Sequence, residues 1–170
     1  VHGRVHRVDD EWRRDGDPME AALHAWALSV GYRAGTVPVQ LRRPYTADRM
    51  MSSVTVDGVS RVLGAPEQVL ARLASPAAAA AAHAGLLDLA ARGLRVLAVA
   101  RGRWRPGAAP ESSEDDLELL ALVGLEDPPR PDVAEVLVRC RSAGIRVAMV
   151  TGDHPGTAAA IAHQVGLLPG

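Results

Sequence analysis

Met51-Ser52-Ser53-Val54-Thr55-Val56-Asp57-Gly58-Val59-Ser60-Arg61-Val62-Leu63 decides the fold. β-Branched and polar residues alternate on both sides of Asp57-Gly58, a pair that accepts the positive φ angles of a two-residue hairpin turn. The stretch therefore predicts two antiparallel strands, Met51–Val56 and Val59–Leu63. Working outward, Gly64-Ala65-Pro66 breaks the second strand and Glu67 to Leu73 starts a helix. Ser75-Pro76 supplies an N-cap and a first-turn proline, so the alanine run 77–82 opens a helix over 77–92. Gly93 ends that helix and the apolar run Leu94 to Ala100 reads as a buried strand. Upstream, Val37 to Leu41 reads as another strand. Asp17 caps a helix that Pro18 opens and Glu20 suits in its first turn. Helices interspersed with hairpin-linked strands give an α+β domain with an antiparallel sheet flanked by helices.

Composition narrows the function classes. The 170 residues carry a formal net charge of −1 and are 48% hydrophobic. A near-neutral chain without a basic excess argues against nucleic acid as a partner. No apolar run is long enough to span a bilayer, so direct membrane contact is not expected of this stretch. The start, Val1-His2-Gly3-Arg4, carries no signal-peptide pattern, and a chain opening on Val1 is expected to be processed or cut from something longer. A single cysteine, Cys140, excludes a disulfide framework, and no metal site is expected. Lys, Phe and Asn are absent, and all 19 basic residues are Arg. A position that needs a cation should therefore carry Arg.

Beyond about residue 110 the grammar changes. Residues 1–110 hold 15 Arg and 10 acids, whereas 111–170 hold 4 Arg and 10 acids. The stretch from Arg105 to Asp116, rich in Pro, Gly, Ser and acids, reads as a loop and as a seam between two units. Leu117 to Leu125 and Ile145 to Val150 read as buried strands, with helices Asp132–Ser142 and Pro155 to about Val165 following them. That β-α-β-α order is the signature of a parallel doubly wound sheet. The expected division is 1–120 and 121–170, the second part being a partial α/β segment of Rossmann type.

Six landmarks then stand in one order. Gly16-Asp17-Pro18-Met19-Glu20 resembles the GDPTE motif of P-type cation-transporting ATPases of the calcium-pump branch. Pro44-Tyr45-Thr46-Ala47-Asp48-Arg49 stands where these pumps have P-F-x-x-x-R. Leu63-Gly64-Ala65-Pro66-Glu67 resembles KGAPE, and Gly93-Leu94-Arg95-Val96-Leu97-Ala98 their G-L-R-x-L-A strand. Asp127-Pro128-Pro129-Arg130 resembles DPPR, and Met149-Val150-Thr151-Gly152-Asp153 their M-x-TGD. The resemblance covers nearly the whole chain.

The resemblance implies a nucleotide-binding (N) domain over 1–120 and part of a haloacid dehalogenase-like phosphorylation (P) domain over 121–170. It implies ATP and Mg²⁺ as cofactors and the remainder of the pump polypeptide as partner. It also implies a cytoplasmic domain of an integral membrane protein. By carry-over, Tyr45 stacks on adenine, Glu20 sits at the adenine edge, and Arg95, with Arg49, meets the phosphates. Gly64 and Ala65 let backbone approach the ring, and Thr151, Gly152, Asp153 and Asp127 lie near the transferred phosphate. The family's nucleophilic aspartate, in D-K-T-G, and its Mg²⁺ ligands lie outside this chain, so the stretch alone is expected to bind nucleotide without turning it over.

Each assignment has a plain structural alternative. Glu20 can be a first-turn acid, Tyr45 a packing residue, and Thr151-Gly152-Asp153 a capped turn. Departures from the family pattern matter too. Leu63 and Met50 stand where the family has lysines, Tyr45 replaces Phe, and Met19 replaces Thr. Each missing cation removes about 1–3 kcal/mol of charge-assisted binding, so weak nucleotide binding is expected. The competing reading is a degenerate regulatory or interaction module of a pump-like protein. A free-standing phosphatase of the dehalogenase type would need a nucleophilic Asp-x-Asp; the Asp15-Gly16-Asp17 of this sequence falls instead in the GDPTE-like stretch, where Asp17 caps a helix.

Overall fold

The computed structural model describes residues 4–168 apart from positions 10, 34, 127 and 153–154. It divides into two compact units, Val1–Pro38 and Val39–Gly170, each taken by itself.

In the first unit, strands β1 (Arg4–Val8) and β2 (Glu11–Asp15) pair antiparallel, and helix α1 (Pro18–Ser29) packs on them. The Asp17 carboxylate accepts from the amides of Met19 at 2.9 Å and Glu20 at 3.0 Å, and Pro18 occupies the first turn. Two otherwise orphaned donors are satisfied, which is why the helix starts there. The β1–β2 hairpin was not foreseen, because its charged, weakly alternating sequence gives no strand period.

The second unit is built on a five-stranded antiparallel sheet in the order β3–β4–β5–β6–β7. Its strands are β3 (Leu41–Arg43), β4 (Met51–Val56), β5 (Val59–Gly64), β6 (Arg95–Arg103) and β7 (Glu118–Leu125). The turn between β4 and β5 has φ of 50° at Asp57 and 69° at Gly58, the paired positive angles that Asp-Gly favours. Helices α2 (Pro66–Leu70) and α3 (Pro76–Ala91) follow β5. Ser75 caps α3 through the Ala78 amide at 3.2 Å.

Alternation along the strands sorts the sheet into two faces. One carries Met51, Val62, Ala98 and Ala100, all buried, and joins Val69 of α2 and Leu117 in a single core, with Leu73, Leu119 and Leu122 packed against it. Leu122 also meets α3, near Gly85. The 3₁₀ helix Pro110–Glu114 lies on this same face, beside Gly102 and Ser53. The opposite face, with Ser52, Leu63 and Val99 in register, is half-exposed. Antiparallel sheets tolerate that asymmetry because only one face must be apolar.

Several expectations need correcting. The strand expected over Val37–Leu41 starts at Leu41 instead; Val37 and Val39 are exposed and pair with nothing regular. Leu117–Leu125 does not open a parallel unit. Its strand β7 pairs antiparallel with β6, runs through the expected boundary at 120/121, and completes the first sheet. The stretch 105–116 is not a seam, since its 3₁₀ helix buries Ser113 and Glu114 against the sheet. Ile145–Val150 is not a buried strand: every residue in it is exposed, Val150 at 97%. A strand is stabilised by neighbours on its edges, and none lies beside this one among the described residues. Helices α4 (Val133–Ser142) and α5 (Pro155–Gln164) form where expected. α5 is tied to the start of β6 by the Thr157 hydroxyl, which donates to the Leu94 carbonyl at 3.0 Å.

Candidate functional site

The turn between β3 and β4 carries the most distinctive group of side chains. Pro44 to Asp48 are exposed, and the Tyr45 ring is 57% exposed. The Met50 amide donates to the Thr46 carbonyl at 2.8 Å, closing the turn, and Met50 itself takes a φ of 49°. Within it, the Thr46 hydroxyl donates to the Asp48 carboxylate and holds it below the ordinary aspartate range, with backbone amides adding to the effect.

Both ends of this turn are anchored on one buried acid. The Glu114 side chain is 3% exposed, and its Oε2 pairs with Arg43 Nη1. Its Oε1 accepts from Arg49 Nη2 at 2.9 Å and from the Ser53 hydroxyl at 2.7 Å. Arg49 Nη2 also donates to the Met51 carbonyl at 2.9 Å. Arg49, carried over from the family pattern as a phosphate ligand, is thus turned inward onto a carboxylate. Glu114 itself escaped the sequence reading. It lies in a Ser- and acid-rich run that looks solvated, and only the partner arginines, distant in sequence, give it a reason to be buried.

The turn adjoins the end of β5. Met51 pairs with Gly64, and the Ala65 amide donates to the Met50 carbonyl at 2.8 Å. A Cβ at Gly64 would stand 2.7 Å from the Met50 carbonyl oxygen and 2.8 Å from Met51 Cα, so glycine is required by strand packing on the core face. Leu63 projects to the other, half-exposed face, opposite Val99. Arg95 opens β6 on that same face and is exposed, roughly 13 Å along the strand from Val99 at about 3.3 Å per residue. Its expected place on a buried strand is corrected: the burial of β6 begins beyond it.

The remaining candidates are placed as follows. Glu20 stands half-buried in the first turn of α1, in the first unit. Thr151 and Gly152 are exposed and follow an exposed segment rather than a buried strand. Asp127 and Asp153 lie outside the described residues. Among the described residues no group of three or more His, Cys, Asp or Glu comes together to hold a metal ion. Among them too, no helix is long and apolar enough to cross a membrane.

A family model for haloacid dehalogenase-like hydrolases matches residues 51–169. The chain belongs to that family. Among curated relatives, it is 36% identical to a calcium-transporting ATPase of Bacillus subtilis, over 99% of this chain and 21% of that protein. It is 38% identical to a probable cation-transporting ATPase F of Mycobacterium tuberculosis, over 95% of this chain and 20% of the relative. A plasma-membrane-type calcium-transporting ATPase of Arabidopsis thaliana is 34% identical over 90% of this chain. This haloacid dehalogenase-like chain thus corresponds to a portion of P-type cation-transporting ATPases, about a fifth of the length of the first relatives it matches.

Proposed function

We infer that the chain is the nucleotide-holding portion of a pump that couples ATP hydrolysis, through an aspartyl phosphate, to cation transport across a membrane. In this reading the antiparallel sheet holds ATP on its half-exposed face, and the stretch that follows β7 belongs to the phosphorylation domain. Thr151, Gly152 and the two aspartates 127 and 153 serve its phosphate. The portion lies on the cytoplasmic side, and its partner is the rest of the same polypeptide.

One observation carries the reading. Leu63 and Arg95 rise from the same half-exposed face, and the exposed Tyr45 ring stands on the turn bonded to the end of that face through Met50–Ala65. An aromatic plane can stack on a base, and a guanidinium matches phosphate oxygens bidentately. Arg49 is committed to Glu114 and Leu63 is apolar, and in this reading the exposed Arg95 meets the phosphates. Binding should therefore be weak and depend mainly on stacking.

The test is an ATP titration of the chain followed by backbone chemical shifts. ATP and AMP should bind with similar affinity, with little effect of Mg²⁺, and shifts should centre on residues 44–50, 63 and 95. Leu63→Lys should tighten ATP about tenfold, equivalent to about 1.4 kcal/mol, and leave AMP nearly unchanged. A folded Leu63→Lys chain with unchanged ATP affinity would remove the site assignment. The same result would favour the degenerate interaction module, for which the loss of both expected cations, at Leu63 and Met50, speaks.

A further inference from the structure

We propose that Glu114 is a positioning residue for the nucleotide: through Arg43 and Arg49 it fixes the turn that presents Tyr45. The proposal rests on the nucleotide-site reading above and assigns a role to a residue that reading does not use.

Pro44, Tyr45, Thr46, Ala47 and Asp48 are all exposed, so burial does little to set the direction of the ring. Arg43 immediately precedes this segment and Arg49 immediately follows it. Both guanidiniums converge on the two oxygens of one carboxylate, which Ser53 of β4 holds from a third side. The carboxylate comes from the 3₁₀ helix Pro110–Glu114, on the core face of the sheet. One buried acid therefore clamps both ends of an otherwise solvent-held segment.

The electrostatics favour a clamp over incidental pairing. Arg43 and Arg49 side chains are 14% and 18% exposed, so the pairs sit where screening is weak. Arg49 Nε is buried with no hydrogen-bond partner. Burying an unsatisfied donor is unfavourable, and the bonds from Arg49 Nη2 to the Glu114 carboxylate and the Met51 carbonyl offset that cost. An aromatic platform that is already oriented loses less conformational freedom when a base stacks on it. Glu114 thus acts on affinity through Tyr45, without touching the ligand.

The experiment uses the full chain and ATP as the probe, with Glu114→Gln, Tyr45→Ala and the double variant compared by titration. Backbone relaxation of residues 44–50 and the melting temperature are measured alongside. Glu114→Gln should weaken ATP about fivefold and raise the mobility of the turn. In the Tyr45→Ala background it should cost nothing further, a coupling that general destabilisation does not produce. Should Glu114→Gln fail to fold, Arg43→Gln frees one end of the turn while leaving Glu114 paired with Arg49 and Ser53, and the same outcomes apply. A folded variant that binds ATP like the parent, while Tyr45→Ala weakens it, overturns the positioning role and leaves the nucleotide site standing. Full additivity with Tyr45→Ala overturns it as well. If Tyr45→Ala has no effect and ATP moves no resonance in 44–50, the nucleotide-site reading falls and the positioning role falls with it.

Discussion

Gly64→Ala should destabilise the second unit strongly. The new methyl carbon would stand 2.7 Å from the Met50 carbonyl oxygen and 2.8 Å from Met51 Cα. Carbon atoms pack best at about 3.5–4.0 Å, so β4 and β5 would have to part by roughly 1 Å at this level. These two obstacles are backbone, and the nearest one is the Met51 Cβ, so none is the mobile end of a side chain. Parting the strands weakens the Met51–Gly64 pairing and the 2.8 Å bond from the Ala65 amide to the Met50 carbonyl. Overpacking costs about 1–3 kcal/mol, and two lost hydrogen bonds add about 0.5–1.5 kcal/mol each. The expected loss is about 3–4 kcal/mol. Urea unfolding followed by circular dichroism should show the midpoint falling by about 1.5–2 M, for a slope of about 2 kcal/mol/M. The melting temperature should drop by roughly 10 °C. A Gly64→Ala chain within about 1 kcal/mol of the parent would refute the claim that strand packing, rather than ligand approach, requires this glycine.

Asp48 should titrate below an ordinary aspartate, because the Thr46 hydroxyl and backbone amides favour its charged form. A folded value below the unfolded one means the turn is fully held above the ordinary aspartate range and loosens as pH falls through the folded value. Carbon-13 titration of the carboxyl should show the lowered midpoint, and Thr46→Ala should raise it; an ordinary midpoint in the parent would contradict the turn geometry. The chain should release no phosphate from ATP, because in-line transfer needs an aspartyl nucleophile and metal ligands held in position. Phosphate release by pure protein, abolished by one substitution within it, would overturn that expectation.

Local chemistry made much of this fold legible. Asp57-Gly58 specifies its turn because the backbone angles are a property of two residues and their immediate neighbours. Asp17-Pro18 and Ser75-Pro76 place helix starts for the same reason: the cap satisfies amides two or three residues away. The resemblance to cation pumps was likewise readable, and the matches along 90–99% of the chain bear it out. Strand partners were not readable. Leu117–Leu125 is an apolar run that would suit a parallel or an antiparallel neighbour, and only its register with β6 settles which. Ile145–Val150 is similarly apolar but has no strand beside it among the described residues, and it is exposed.

The candidate site divides along the same line. The resemblance to the pumps singled out Tyr45 and Arg95 to meet a base and a phosphate, and Leu63 as standing where the family has a lysine. Which arginine turns inward was decided by tertiary structure. Arg49 and Arg95 are indistinguishable by composition, yet a carboxylate 65 residues away in sequence takes the first into the protein. Gly64 shows the reverse case, a motif glycine whose requirement comes from the strand packed against it. Turns and caps are set by interactions within a few residues, and sequence alone determined them. Pairing partners and the neutralisation of buried charge depend on groups brought together only by the folded chain, and there the tertiary structure decided.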